Sequence, residues 1–196
     1  YYERIEPVAE SFQDLDPAID ARAGDVPASE WTGFHPIEKG LFAKKSVAGL
    51  APLADKLLED CKTLAAKTKD LTYQPAELLN GAGGLLDEIS ASKITGEEER
   101  YSHIDMLDFW ANVEGAEQAF ANVKPALEII DPVLTTTITE RFAAVDALLN
   151  KYRDPNELGG FVRYGKLTAA DKRSLSHAID ALKQPVSEAG SKVASA

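Results

Sequence analysis

The sequence predicts an all-α protein, a helical bundle of about six to eight helices. Two observations favour this class. Apolar residues recur at steps of three and four along most of the chain, and no convincing run alternates apolar and polar residues as a half-buried strand does. With 196 residues, of which 44% are hydrophobic and 27% charged, the chain has enough apolar material for one packed domain.

The first third of the chain is predicted to form one helix, a loop and then further helix. Apolar residues at helical spacing between positions 2 and 12 give the first helix its buried stripe. Prolines and a glycine between about positions 15 and 30 indicate a loop with at most one short helical turn. Helix resumes through "HPIEKGLF" at 35–42, breaks loosely near 44–46 and continues as an amphipathic helix with apolar positions from 47 to 65.

The central helices are marked by proline and a capping aspartate. Pro75 is predicted to open a helix, because proline is favoured at the first helical position. A long helix follows over residues 104–130, with a bend predicted at Pro125, which removes a backbone hydrogen bond. Asp131 is then expected to cap another helix that has Pro132 at its first position.

The last part of the chain is also predicted to be helical. The β-branched run Thr135–Thr139 has flanks that continue a helical pattern, so it is expected to lie within a helix. A glycine-rich loop follows. The final helix is expected to open with a capping box formed by Thr168 and Asp171, with Asp in place of the usual Glu.

The charge balance narrows the classes of binding partner. The chain has 21 Lys and Arg against 32 Asp and Glu, a formal net charge of −11, which disfavours nucleic acid and anionic lipid and favours cations. Its single cysteine, Cys61, cannot form a disulfide within the chain. No stretch of about 18 uninterrupted apolar residues is present.

His35 and Glu38, in "HPIEKGLF", form a candidate metal-binding pair. Positions three apart lie on the same side of a helix, so an imidazole nitrogen and a carboxylate can reach one cation. An alternative stays open, because Pro36 looks like a first helical residue. His35 would then be the cap, and Glu38 would bond back to a backbone N–H.

Other carboxylates form two groups in the sequence, one at the N-terminal end and in the first loop, and one just before Tyr101. Glu3 and Glu6 have the same three-residue spacing, with Ile5 expected to turn away toward a core. Each acidic run alone is typical of a solvated face, but together the runs supply hard oxygen donors that suit iron, zinc, manganese or copper. The remaining members come from the first loop and from the acidic run before Tyr101: Asp14, Asp16, Asp20, Glu97, Glu98 and Glu99.

Three long blocks of the sequence resemble a known family. In chain order they are "YYERIEPVAESFQDLDPAIDAR", "EWTGFHPIEKGLF" and "KITGEEERYSHIDMLDFWANVEGAEQAF", and they are similar to the imelysin-like family in its EfeO/EfeM branch of periplasmic iron-uptake components. The resemblance implies an exported, periplasmic helical bundle. It also implies that residues 1–196 form a single domain that lacks the first helix of the longer relatives.

The same resemblance implies a site and a role. The family's HxxE metal motif falls on His35 and Glu38, and metal-binding surface is implied at Glu3, Glu6, Asp20 and the block Glu97, Glu98 and Glu99. The implied activity is capture and delivery of a metal ion, with iron first and zinc or copper as alternatives. The implied partners are an inner-membrane iron permease and a peroxidase-like protein, with acidic polysaccharide such as alginate as a secondary ligand and no nucleic acid.

Two other functions stay open from the sequence. A metallopeptidase needs a metal with an open position and a general base, but its usual helical signature H-E-x-x-H is absent. A metal-free helical interaction module would leave the acidic groups on the surface. If metal does bind, affinity is expected to increase as pH rises through about 6.5, the ordinary titration range of an imidazole.

Overall fold

The prediction of an all-α protein is confirmed. The computed structural model describes residues 1–91 and 93–196, and within these ranges it has eight α-helices and no β-strand beyond two isolated bridges. The helices are α1 (Glu6–Ala9), α2 (Asp16–Asp20), α3 (Phe34–Glu38), α4 (Ala51–Thr68), α5 (Pro75–Ala91), α6 (Asp105–Ile130), α7 (Pro132–Leu149) and α8 (Ala169–Ala194). Among these residues, no helix is both long and apolar enough to cross a membrane.

The chain divides into two compact units. The first unit consists of Tyr1–Glu6, Tyr73–Glu97 and Ile104–Ala196. The second unit consists of Pro7–Thr72 and Glu98–His103. The expectation that residues 1–196 form a single domain stays a prediction.

The first unit is a bundle of the four long helices α5 to α8. Helix α5 packs against α6 and α8, and α7 packs against the same two helices. The rings of Phe120 and Phe142 stack between α6 and α7 with their centroids 5.7 Å apart. Fully buried apolar residues from all four helices form one core: Leu79, Leu86, Ile89, Met106, Val113, Leu127, Ile138, Phe142, Leu175, Ile179 and Leu182.

The predicted helix starts in this unit are confirmed. Helix α5 begins at Pro75, and the Asp131 carboxylate caps α7 by accepting a hydrogen bond of 2.9 Å from the Leu134 N–H. Thr168 and Asp171 form both bonds of the capping box at the start of α8. Helix α6 continues through Pro125, and the bend at that residue stays a prediction.

The second unit is built from α2, α3 and α4. Helix α2 contacts both α3 and α4, and α3 also contacts α4. A π-helical turn over Lys39–Ala43 follows α3 directly, and such turns are frequent at functional sites. The long helix α4 contributes two buried residues to this unit, Asp60 and Leu64.

The prediction of a helix over residues 2–12 is wrong in its extent. Only Glu6–Ala9 is helical, and the flanking residues form turns, with the Ile5 N–H bonded to the Tyr2 carbonyl at 2.9 Å. Pro7 explains why the helix does not extend toward Tyr2, because it has no N–H to donate to a carbonyl four residues earlier. Since the segment before Pro7 is not helical, Ile5 does not face a core and is 40% exposed.

Candidate metal site

The start of α3 places His35 and Glu38 side by side. The helix begins at Phe34 with Gly33 as its N-cap, so the alternative in which His35 is the cap is wrong. Pro36 is tolerated here because N–H groups in the first turn have no partner within the helix. Both side chains are buried, at 3% and 7% exposure, and His35 Nδ1 lies 3.2 Å from Glu38 Oε2.

The second oxygen of Glu38 bonds to backbone on the segment Glu98–His103. Glu38 Oε1 accepts hydrogen bonds from the Tyr101 N–H at 2.7 Å and from the Ser102 N–H at 2.6 Å. These bonds, rather than a bond to the helix cap, satisfy the carboxylate. Glu38 therefore joins α3 to the segment that carries two of the predicted ligands.

Two carboxylates face the other nitrogen of His35. His35 Nε2 lies 3.7 Å from Asp20 Oδ1 and 3.9 Å from Glu98 Oε1. One ligand atom from each of these three residues lies within 4.8 Å of the other two. One ligand atom from each of His35, Glu38 and Glu99 also lies within 4.8 Å of the other two, so His35 belongs to two groups of candidate ligands.

Close backbone packing fixes the position of Asp20. A Cβ atom on Gly33 would lie 2.0 Å from the carbonyl oxygen of Ile19, and Gly33 has a φ of +88°, which favours glycine. Two side chains before Gly33 bond to the same stretch: Thr32 Oγ1 donates to the Ala18 carbonyl at 2.8 Å, and Trp31 Nε1 donates to the Ala21 carbonyl at 2.7 Å. The end of α2 is therefore held against the start of α3.

Arg22 holds the other carboxylate. Its Nη1 lies 2.9 Å from Glu98 Oε2, the oxygen that does not face His35, and its backbone N–H donates to Asp25 at 2.9 Å. Burial by itself lowers the pKa of the Arg22 guanidinium, but the charges of Glu98 and Asp25 outweigh that effect and raise the pKa. Arg22 therefore stays charged and fixes the orientation of Glu98.

The surroundings of Glu38 and Glu99 shift their pKa values in opposite directions. Burial of Glu38 opposes ionisation, but the hydrogen bonds from His35 and from the N–H groups of Ser102 and Tyr101 together lower its pKa to about 2. Burial raises the pKa of Glu99 to about 7; the bond from the Ser102 hydroxyl opposes this rise, and the charge of Glu38 adds to it. Glu38 is thus ionised at neutral pH, whereas Glu99 is partly protonated.

The structure places the predicted ligands in both units. Asp20, His35, Glu38, Glu98 and Glu99 lie together in the second unit. Glu97 is exposed and belongs to the first unit, as do Glu3 and Glu6. The participation of these three glutamates in the site stays a prediction.

Glu3 and Glu6 contact a lysine within the first unit. The buried Lys93 Nζ lies 2.9 Å from Glu3 Oε2 and 3.4 Å from Glu6 Oε1, and Asn112 Nδ2 donates to both carboxylates. Sequence reasoning missed Lys93, which lies 87 positions from Glu6. It also missed Arg22, although a single basic residue between Asp20 and Asp25 was a usable signal.

A buried imidazole surrounded by carboxylates on a helical scaffold defines the class: an all-α protein with a candidate site for a hard cation. Comparison with known proteins then gives the family. The sequence model of the family described as imelysin, peptidase M75, matches residues 1–189. The chain belongs to the imelysin family, as the resemblance of the three blocks indicated.

Named relatives are close in sequence and longer than this chain. An Efem/EfeO family lipoprotein of Staphylococcus aureus (strain NCTC 8325 / PS 47) is 45% identical over 193 residues, which cover 96% of this chain and 67% of the relative. The iron uptake system component EfeM of Pseudomonas syringae pv. syringae (strain B728a) is 40% identical over 191 residues, which cover 95% and 66%. The chain thus spans about two thirds of the length of these relatives.

Proposed function

We propose that this chain is the metal-binding part of a periplasmic iron-uptake component, which captures iron and delivers it onward. The observation that carries the proposal is the buried His35 Nε2. Within the described ranges it has no hydrogen-bond partner, and it faces Asp20 and Glu98 at 3.7 and 3.9 Å. A buried polar atom without a partner is costly in a folded protein, and a bound cation would remove that cost.

The donor set suits iron. Imidazole nitrogen and carboxylate oxygen bind iron, zinc and manganese, whereas thiolate-selective ions require sulfur ligands that this group does not contain. Four acidic side chains, of Asp20, Glu38, Glu98 and Glu99, surround His35, and Arg22 supplies one positive charge. The remaining negative charge favours a cation, and zinc or copper is an alternative to iron.

The names of the relatives support the biological role. One is named an iron uptake system component and another a lipoprotein, which together favour an exported protein that works at the cell envelope. We assign a permease and a peroxidase-like protein as partners on the resemblance alone. In this role the site must release its metal, so ligands should leave coordination positions open for exchange.

Removal of the imidazole tests the proposal. We expect His35→Ala to weaken binding of Fe²⁺, measured anaerobically, and of Zn²⁺ by at least about tenfold, which corresponds to about 1.4 kcal/mol. Titration calorimetry on chelator-treated protein provides the measurement. The matched control is His177→Ala, because His177 is an exposed histidine on α8 in the first unit. Unchanged affinity in His35→Ala would remove this site from the proposed function.

Peptidase activity is the second candidate, because the family's description includes the word peptidase. The candidate groups contain a single histidine, His35, whereas the usual helical zinc-peptidase signature supplies two. Metal-dependent cleavage of a broad peptide library by the loaded protein would favour the enzyme. Metal binding without cleavage would favour uptake.

A further inference from the structure

The two nitrogens of His35 have different surroundings. Nδ1 lies 3.2 Å from Glu38 Oε2, within hydrogen-bond distance. Nε2 lies 3.7 and 3.9 Å from its two nearest carboxylate oxygens, which is too far for a hydrogen bond. In a neutral imidazole one nitrogen carries the proton and the other has a free lone pair. A carboxylate next to Nδ1 favours the proton there.

We propose that Glu38 is a positioning residue and not a ligand: it accepts the Nδ1 proton of His35, so that Nε2 binds the metal together with Asp20 and Glu98. This inference rests on the proposed function and assigns roles within its site. Metal-binding histidines commonly donate the second ring N–H to a carboxylate, which sets both the tautomer and the ring orientation.

The hydrogen bonds of Glu38 support this role. Oε1 accepts two backbone N–H groups and Oε2 faces the imidazole, so direct ligation would compete with bonds that the carboxylate already makes. Tyr101 and Ser102 follow Glu98 closely in the chain. By holding their backbone, Glu38 also fixes the segment that presents Glu98 to Nε2.

The distances at Nε2 fit a shared cation. Two ligands at about 2.1 Å from a tetrahedral metal lie about 3.4 Å apart. The separations of 3.7 and 3.9 Å require only a small inward movement of Asp20 and Glu98. Arg22 bonds to Glu98 Oε2 at 2.9 Å, and Oε1 is the oxygen on the side of His35 Nε2, so Oε1 is the ligand atom in this assignment. Three protein ligands leave a position for water, as exchange of the metal requires.

Glu38→Gln gives a specific spectroscopic test. The Tyr101 and Ser102 N–H groups need an acceptor, so the amide oxygen of the new side chain faces them and its NH₂ group faces Nδ1. Because NH₂ is a donor, Nδ1 must accept its hydrogen bond, which favours the tautomer with the proton on Nε2, the nitrogen that must bind the metal. We expect Zn²⁺ affinity to fall by about 10- to 100-fold, the range for partners of metal ligands.

The tautomer is read from ¹⁵N–¹H correlation spectra of histidine-labelled protein at about pH 8, above the ordinary imidazole pKa. In the wild-type chain we expect the proton on Nδ1, retained when diamagnetic Zn²⁺ binds at Nε2. His35→Ala assigns the signals among the three histidines. In Glu38→Gln we expect the proton on Nε2.

Variants of the two carboxylates nearest Nε2 test that they bind the metal. Asp20→Asn and Glu98→Gln should each weaken Zn²⁺ binding by at least about tenfold, a change of about 1.4 kcal/mol, whereas Asp87→Asn, at an exposed carboxylate in the first unit, should leave it within about twofold. Zinc on Nδ1, or loss of the Nδ1 proton on loading, overturns the inference and leaves the proposed function intact. A wild-type chain that binds neither zinc nor iron overturns the proposed function itself. If Glu38→Gln does not fold, the wild-type spectra still show which nitrogen of His35 carries the proton and which binds zinc.

Discussion

His35 has different carboxylates at the two edges of its ring: Glu38 lies next to Nδ1, and Asp20 and Glu98 face Nε2. Glu38 is fixed by two backbone N–H groups, and Glu98 is fixed by Arg22. Each carboxylate therefore has a defined orientation before any cation binds. Such preorganisation reduces the cost of ordering ligands when a metal is captured.

Glu99 gives this site a pH-dependent effect on stability. Its pKa is about 7 in the folded protein and 4.5 ordinarily, so the folded state binds more protons than the unfolded state between these values. Stability is therefore lost as pH rises through this window. Glu38, with a pKa of about 2, contributes stability that is present above 4.5 and lost as pH falls toward 2.

Glu99→Gln should remove the loss of stability between about pH 4.5 and pH 7. One pKa unit corresponds to about 1.4 kcal/mol, so the difference in unfolding free energy between wild type and variant should change on the order of 3 kcal/mol across the window. Urea denaturation of chelator-treated protein at several pH values measures it. The control is Glu97→Gln, at an exposed glutamate nearby in the sequence. Parallel profiles of unfolding free energy against pH for wild type and Glu99→Gln would contradict the prediction.

Residue spacing predicted part of this arrangement. The three-residue step in HxxE brought His35 and Glu38 together, because positions i and i+3 share a helix face. Spacing could not reveal that Tyr101 and Ser102 bond to Glu38, since their positions depend on a tertiary contact across more than 60 residues. The sequence also could not show that Nδ1 of His35 is within hydrogen-bond distance of Glu38 whereas Nε2 has no hydrogen-bond partner in the described ranges.

At the scale of elements, helices with local start signals were the most predictable. Asp131 with Pro132, and Thr168 with Asp171, satisfy N–H groups within one turn and so act without tertiary contacts. The helix predicted over residues 2–12 had no such start signal. Its apolar spacing was helical, but Pro7 prevents the helix Glu6–Ala9 from extending toward Tyr2.

The contact of α2 with the start of α3 is the element on which the site depends most. Gly33→Ala adds a Cβ 2.0 Å from the Ile19 carbonyl oxygen, at a φ of +88°. We expect the variant to lose more than the roughly 1–2 kcal/mol that a left-handed conformation alone costs, because the backbones must also separate. Zn²⁺ affinity should fall with it, since Asp20 follows Ile19 directly.

Gly49→Ala is the matched control for Gly33→Ala. Gly49 has a similar φ of +78°, but an added Cβ would have no heavy atom within 4 Å. It should therefore show the conformational cost alone, with unchanged Zn²⁺ affinity. Denaturation and calorimetry on both variants make the comparison. Equal losses of stability in the two variants would show that the close approach at Gly33 has no effect of its own.

At the scale of the whole molecule, the helical spacing of apolar residues predicted the all-α fold, and the net charge predicted a preference for cations. The sequence did not reveal the partners of each acidic group. Glu3 and Glu6 look like a ligand pair in the sequence, and in the first unit both contact Lys93. That ammonium group supplies positive charge beside both carboxylates, and their participation in a metal site stays a prediction. The net charge of −11 therefore does not identify a site without the distances between groups.

The most direct test of the central claim is the anomalous scattering of a zinc-loaded crystal, measured at the zinc absorption edge. The account predicts a peak about 2.1 Å from His35 Nε2, with Asp20 and Glu98 as the carboxylate ligands and Glu38 still bonded to Nδ1. A peak between Nδ1 and the Glu38 carboxylate would contradict the assigned roles. The absence of any peak at His35 in crystals that bind zinc elsewhere would contradict the site altogether.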